Sequence, residues 1–92
     1  MLTTSGLDVT TRAALVTRLK SIEGQARGIQ RMLEEGRDCQ EILDQFAAMR
    51  AASHAASMQA LEDFALHCLR ESPDAPDKVM NQFVGAVAKL TR

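Results

Sequence analysis

Cys39 and Cys68 are the residues of this 92-residue sequence whose side chains could do soft-ion or sulfur chemistry. They lie near the two ends of residues 38–70, a stretch without proline or glycine that we predict to be one long helix. At about 100° per residue, the step between them brings both thiols to one face, within about 20° of each other. The same step spans about 43 Å, whereas a disulfide needs a Cα separation of roughly 4.4–6.8 Å, so the thiols cannot meet within one straight helix.

Antiparallel pairing of two copies of this helix would bring the thiols together. If residue i faces residue 107−i of the partner, Cys39 lies beside the partner's Cys68. The two helices then cross between residues 53 and 54, inside the segment AASHAAS at 51–57, whose small side chains permit close approach of the backbones. We therefore predict a homodimer in which each composite site takes one thiol from each protomer.

The chemistry of such a dithiol site depends on what lies beside it. The two thiols could simply be buried as small apolar groups, but paired thiolates also bind Cu(I) or react with oxidised sulfur and become cross-linked. Phe64, one turn before Cys68 on the same face, offers no ligand atom, and His67 is rotated by about 100° from Cys68. His54 is remote from both thiols. The residues alone therefore leave Cys39 and Cys68 as a pair that could either bind Cu(I) or react with oxidised sulfur, with Phe64 beside them; no third metal ligand and no cofactor is predicted.

The helices that must position these residues can be predicted from the periodicity of apolar residues and from the residues that cap or end a helix. The helical period of apolar residues predicts helix one over 11–35, capped by Thr10 or Thr11 and ended by Gly36 in a left-handed conformation. Residues 1–9 are predicted as a flexible lead. Gly24 and Gly28 lie inside helix one at a cost of roughly 1 kcal/mol each, which predicts close backbone approach to a neighbouring helix or a ligand.

The remainder of the chain contains two further predicted helices. Asp38 and Glu41 fit a capping box at the start of helix two, residues 38–71. The prolines of the segment 73–76 end that helix, and Asp77 is predicted to cap helix three over 77–91. No segment has the pattern of a strand. The predicted fold is a single all-α domain, residues 1–92, whose long second helices pair antiparallel in a dimer.

Composition limits the class of protein. A hydrophobic content of 46% without Trp or Tyr predicts thin, closely packed helices, and a chain this small gains from oligomerisation. No apolar run is long enough for a bilayer and no signal peptide is visible, so we predict a cytoplasmic protein without a membrane partner. In that compartment two cysteines are more often reactive or metal-binding than a permanent disulfide. No catalytic constellation is present, so an enzyme is not predicted.

Charge is distributed unevenly along the chain. Residues 1–33, 34–77 and 78–92 carry net charges of +3, −7 and +3. On helix one, Lys20, Arg27 and Arg31 fall within about 40° of each other, opposite the apolar stripe, and Arg12 lies nearby. A basic face of this kind can bind DNA phosphates when an oligomer repeats it, and such binding weakens steeply with salt. No DNA-reading motif of a known type is present.

Several of these residues together resemble a known family. The segment RLKSIEGQ at 18–25, the pattern GIxxML at 28–33, the pair Asp38-Cys39 and then Cys68 are similar to the copper-sensitive operon repressor (CsoR) family of bacterial regulators. The resemblance covers residues 12–92. It implies an all-helical dimer or tetramer that binds double-stranded operator DNA and releases it when the cysteine site is occupied. It also implies that Cys39 of one protomer joins Phe64 and Cys68 of its partner.

The resemblance also contains a departure. Copper sensors of the family have histidine at the position of Phe64, and two cysteines without it are similar to the CsoR-like sulfurtransferase repressor (CstR) branch, which senses persulfides. We therefore predict a repressor induced by reactive sulfur species through an interprotomer sulfur link. A Cu(I)-responsive repressor and, from another class, a small thiol-based sulfur carrier remain alternatives. The resemblance and the charge pattern predict the DNA-binding residues Arg12, Arg18, Lys20 and Arg31.

Overall fold

The computed structural model of the protein describes residues 4–71 and 73–91. It confirms the prediction of an all-helical chain with three helices, and no strand is present among the described residues. The chain begins with a 3₁₀ turn, which is followed by three α-helices: the turn is Thr4–Gly6, α1 is Val9–Glu34, α2 is Cys39–Glu71 and α3 is Pro76–Leu90.

The connection between α1 and α2 is set by Gly36, whose φ of +68° confirms the predicted left-handed residue. The Gly36 amide donates to the Leu33 carbonyl at 3.2 Å, and the Arg37 amide donates to the Met32 carbonyl at 3.0 Å. These two bonds form a Schellman motif, which satisfies carbonyls that the last turn of α1 would otherwise leave without donors. The motif reverses the chain within four residues, so α2 runs back along α1.

Replacing Gly36 by alanine is therefore expected to destabilise the protein by about 1 kcal/mol, because a side chain is strained at positive φ. Urea unfolding followed by circular dichroism measures this difference. Gly85→Ala is the matched control: Gly85 lies inside α3, has no positive φ, and an added methyl group there would have no neighbour within 4 Å, so alanine should stabilise the protein. Equal stability of the two variants would contradict the assignment of Gly36.

The start of α2 confirms half of the predicted capping box. The Asp38 carboxylate accepts a hydrogen bond from the Glu41 amide at 3.2 Å, as expected of an N-cap. The second bond of a capping box, from the Asp38 amide to the Glu41 carboxylate, is absent. The Glu41 carboxylate pairs instead with the Arg37 guanidinium at 3.1 Å. Both groups are half-exposed, so this ion pair contributes little to stability.

Two other predicted caps are wrong. Helix α1 begins at Val9 with Asp8 at its N-cap, which places Thr10 and Thr11 inside the first turn. Helix α3 begins at Pro76 with Ala75 at its N-cap, so Asp77 also lies inside the first turn. Proline is well suited to the first helical position because its fixed φ is helical and its missing N–H would have no partner there. That preference moves the start of α3 before Asp77.

Helix α2 is the central element, with α1 packed along it and α3 against its C-terminal half. The protomer is elongated, at 56 × 28 × 15 Å, and its buried hydrophobic core among the described residues consists of Leu7, Ile29, Ile42, Ala56 and Val79. Large apolar side chains stay exposed on all three helices. Such a thin core favours burial against another molecule. No helix in the described ranges combines the length and apolar character needed to cross a membrane.

Two predictions about helix one and its lead need correction. A methyl group added at Gly24 or Gly28 would have no neighbour within 4 Å, so within the protomer neither glycine serves close helix packing. The predicted flexible lead is partly structured, because Leu7 is buried at 8% exposure and its amide donates to the Thr4 carbonyl at 3.0 Å. Residues 1–3 of that lead lie outside the described residues.

Candidate functional site

The structure places the two cysteines at opposite ends of α2. Cys39 is the first residue of the helix and is exposed, whereas Cys68 lies in the last turn and is half-buried; both thiols are free. Since α2 is one continuous helix, its two thiols share a face and are separated by about 43 Å along the axis. Among the described residues no group of three or more His, Cys, Asp or Glu side chains could hold a metal ion. Within one protomer the two thiols therefore cannot form a joint site.

The face of α2 that carries both cysteines is apolar and open. Its residues lie within about 60° of each other on the helix, and Leu43 and Phe46 on it are 61% and 45% exposed. We call this face the cysteine seam; it consists of Cys39, Leu43, Phe46, Arg50, Ser57, Leu61, Phe64 and Cys68. The spacings along the seam read the same from both ends about the midpoint between 53 and 54. An antiparallel copy of this face would therefore place each of these positions opposite another position of the seam.

A groove of about 490 Å³ runs beside the cysteine seam, between α1 and α2. Its walls are mainly apolar and include Leu15, Leu19 and Ile22 of α1, Ala60 of α2, and Phe64. The Phe64 ring is half-buried there and packs as an apolar side chain. It lies one helical turn before Cys68, and it has no atom that could bind a metal.

Neither histidine is directed toward a thiol within the protomer. The His67 imidazole lies against the backbone of Gly6, where an added Cβ would be only 2.9 Å from its Cε1 atom and 3.1 Å from its Nε2 atom. His54 is exposed near the midpoint of α2.

The four residues predicted to bind DNA do not lie on one face of α1. Lys20 and Arg31 project from the outer face, about 20° apart around the helix. Arg12 lines the groove beside the cysteine seam, and Arg18 lines a second groove with Glu62 of α2 and Phe83 of α3. Arg18 is about 160° around α1 from Lys20. The two side chains therefore leave nearly opposite sides of α1, and one side of a DNA duplex does not face both.

The outer basic face of α1 has one internal ion pair. The Arg27 guanidinium lies 3.5 Å from the Glu23 carboxylate, with the two side chains 73% and 65% exposed. At that exposure the pair is weak and leaves Arg27 able to exchange its partner for a phosphate. Lys20, Arg27 and Arg31 therefore form the continuous basic stripe of the protomer.

Sequence reasoning missed two features of this site. The apolar seam residues Leu43 and Phe46 carry a signal in their spacing from the cysteines, since they follow Cys39 by one and two turns. The packing of Gly6 and Leu7 on the end of α2 has no comparable signal, because it depends on the reversal at Gly36 and on the lengths of both helices.

Comparisons with known proteins agree with this geometry. A family model described as "Metal-sensitive transcriptional repressor" matches residues 11–89. The copper-sensing transcriptional repressor CsoR of Bacillus subtilis is 38% identical over 80 residues, which cover 85% of this chain and 79% of that protein. The copper-sensing transcriptional repressor RicR of Mycobacterium tuberculosis is 33% identical over 79 residues, covering 82% of each chain.

A solved structure extends the similarity to the whole fold. The crystal structure of the copper-sensing repressor CsoR with Cu(I) from Geobacillus thermodenitrificans NG80-2 matches with a TM-score of 0.84 and 30% identity. The match covers 100% of this chain and 95% of that chain.

Proposed function

This chain belongs to the CsoR family of metal-sensitive transcriptional repressors, and from that premise we propose that it binds operator DNA and releases it when a dithiol site is occupied. The site consists of Cys39 of one protomer and the partner's Cys68. The single observation that carries this proposal is the position of both free thiols on one open face of α2. A sulfur carrier that never touches DNA does not fit membership of a repressor family.

The cysteine seam supports antiparallel pairing of two protomers. In the register that aligns Cys39 with the partner's Cys68, Leu43 faces the partner's Phe64 and Phe46 faces the partner's Leu61. The exposed apolar area of the seam is then covered by apolar area. The hydroxyl of Ser57 is bonded to the Ser53 carbonyl at 2.9 Å within its own helix, so it needs no partner at the crossing point.

Cu(I) is the inducer that we propose first. Soft thiolates select Cu(I), and two thiolates from facing helices can coordinate it without a third ligand. The named relatives in Bacillus subtilis and Mycobacterium tuberculosis are both described as copper-sensing, which favours the same inducer here. The comparisons give no support to the persulfide-sensing branch.

Reactive sulfur is a second candidate, and Phe64 is the observation that favours it. A half-buried phenyl ring beside Cys68 excludes water without adding a ligand, which suits a thiol that reacts more than one that coordinates. The Cys39 thiolate would attack a polysulfide and release the shortened polysulfide, leaving a persulfide on Cys39. The partner's Cys68 thiolate would then attack the Sγ atom of Cys39, so that the S–S bond of the persulfide breaks, hydrosulfide leaves and the Cys39–Cys68 disulfide forms.

One titration distinguishes these inducers. Fluorescence anisotropy of the protein on a DNA fragment from its own upstream region should show a salt-sensitive complex. Anaerobic Cu(I) at one equivalent per protomer should release the DNA, and mass spectrometry should show no covalent change. Release by polysulfide, together with a sulfur link between Cys39 and Cys68 and no response to Cu(I), would replace copper by the second candidate. A complex insensitive to both reagents would contradict the dithiol proposal.

The basic stripe of α1 is the proposed contact surface for DNA phosphates. Lys20 and Arg31 lie about 16 Å apart along the helix on one face, and a dimer presents the stripe twice. Arg12 and Arg18 lie on other faces of α1. They would therefore contact a different part of the duplex, or affect DNA binding indirectly by changing how α2 and α3 are positioned. Replacing Lys20 by glutamine should therefore reduce the salt dependence of binding more than Arg12→Gln does.

A substitution at Gly24 can test whether DNA approaches the backbone of α1. Gly24 lies one turn after Lys20 and about 40° around the helix from it, and a methyl group added there would have no protein neighbour within 4 Å. Gly24→Ala is expected to raise stability by about 1 kcal/mol and to weaken operator binding, because the methyl group would stand where a phosphate approaches. Thermal unfolding and anisotropy measure the two effects.

Gly85→Ala again supplies the control, since it should stabilise α3 by a similar amount without affecting DNA. Unchanged operator affinity in Gly24→Ala would mean that the DNA does not approach this backbone.

A further inference from the structure

The N-terminal segment Thr4–Asp8 packs on the same end of α2 that carries Cys68. Leu7 is the buried residue outside the three helices, at 8% exposure, and it lines the groove together with Thr4 and Phe64. The hydrogen bond from the Leu7 amide to the Thr4 carbonyl closes the turn that directs Leu7 inward. We call this segment the strap.

The strap is held at a second point by His67. A Cβ built on Gly6 would lie 2.9 Å from the His67 Cε1 atom, a distance that real Cβ atoms essentially never show, so the absence of a side chain at Gly6 permits the contact. The contact also fixes the register, because residue 6 beside residue 67 means that the strap runs along the last turns of α2. Cys68, the next residue after His67, is half-buried, whereas Cys39 at the other end of α2 is exposed.

We propose that the strap is a wall of the Cys68 half-site that controls which molecules reach this thiol, with Gly6 and His67 as the positioning residues that hold it closed. Leu7 anchors the strap in the apolar groove beside Phe64, and the Gly6–His67 contact holds it against α2. Cys39 is then the thiol that meets an inducer first, and Cys68 is the thiol that completes the site. The link to inducer choice rests on the proposed function, whereas the effect on access to Cys68 does not.

Alkylation kinetics of single-cysteine variants test the proposal. In a Cys39→Ser background, Cys68 is the sole thiol, and its reaction with iodoacetamide is followed by mass spectrometry under native conditions without DNA or metal. Gly6→Ala should push the His67 ring away from the strap and accelerate the reaction about twofold or more, because the strap loses this contact and a local opening that exposes the thiol costs less free energy. Leu7→Ala should accelerate it as well.

Two comparisons make the result specific. In a His67→Ala background the methyl group of Gly6→Ala has room, so the further acceleration should vanish, as a double-mutant cycle between contacting residues requires. In a Cys68→Ser background, where Cys39 is the sole thiol, Gly6→Ala should leave the reaction rate unchanged. Circular dichroism and the elution volume check that each variant keeps its fold and its oligomeric state.

Three outcomes would overturn the proposal. Unchanged Cys68 rates in both Gly6→Ala and Leu7→Ala would show that the strap does not control access. Equal acceleration of Cys39 and Cys68 would indicate a general loosening of the chain. Acceleration by Gly6→Ala that persists without the His67 ring would show that the Gly6–His67 contact does not hold the strap. If Cys68 proves not to sense an inducer, the rates still decide the role of the strap, while DNA release decides the proposed function separately.

Discussion

Cys68→Ser is expected to abolish inducer-driven release of operator DNA while leaving the affinity of the uninduced protein within about twofold. Cys68 lies in the last turn of α2, whereas Lys20 and Arg31 lie on the outer face of α1. Without it, a composite site retains one thiolate from Cys39, which can neither bridge Cu(I) across the helices nor be linked to a second sulfur. Allosteric coupling typically changes affinity by about 5- to 150-fold, and the variant should lose all of that change.

The measurement is an operator-binding titration with and without inducer, in parallel for Cys39→Ser and Cys68→Ser. Because the site needs one thiol from each protomer, both variants should be unresponsive to the same degree. Mixing the two variants supplies a sharper control, because a heterodimer has one composite site with both cysteines and one with neither. An equimolar mixture that exchanges protomers at random is half heterodimer, so about a quarter of the wild-type inducer capacity should return. No recovery in the mixture would contradict the cross-protomer arrangement.

Phe64→His is the second change with a large expected effect, because it alters the ligand set and leaves both thiols in place. Position 64 is one helical turn before Cys68, so an imidazole there would point toward the same composite site. We expect Cu(I) to bind at least about tenfold more tightly, which corresponds to about 1.4 kcal/mol. Reaction with polysulfide should change little, since the thiols and their spacing are the same.

Competition with a Cu(I) chelator measures the affinity, and Phe64→Leu serves as the matched control. Leucine removes the ring and adds no ligand, so it should reproduce any loss of packing in the groove and leave Cu(I) affinity unchanged. Tighter Cu(I) binding in both variants would mean that Phe64 obstructs the site sterically. Unchanged affinity in Phe64→His would place position 64 outside the reach of the metal.

Much of the fold could be predicted because its signals are local. The left-handed residue at Gly36 and the cap at Asp38 depend on glycine's freedom at positive φ and on a carboxylate near free N–H groups. The caps at Thr10, Thr11 and Asp77 are wrong because neighbouring residues offer equally local alternatives. Asp8 occupies the N-cap of α1 without a side-chain capping bond, and Pro76 is favoured at the first helical position.

The sequence by itself determined the position of both thiols on one face of α2, because that relation follows from the helical repeat alone. It also determined that Phe64 stands where a metal ligand could stand. Tertiary structure decided what the α1–α2 hairpin brings near those residues. The packing of Gly6 on His67 depends on where α1 begins and on the reversal at Gly36, which are separated along the chain by a whole helix. Likewise, only the tertiary structure places Arg18 in a groove with Glu62 of α2 and Phe83 of α3, since contacts between distant segments have no local sequence signal.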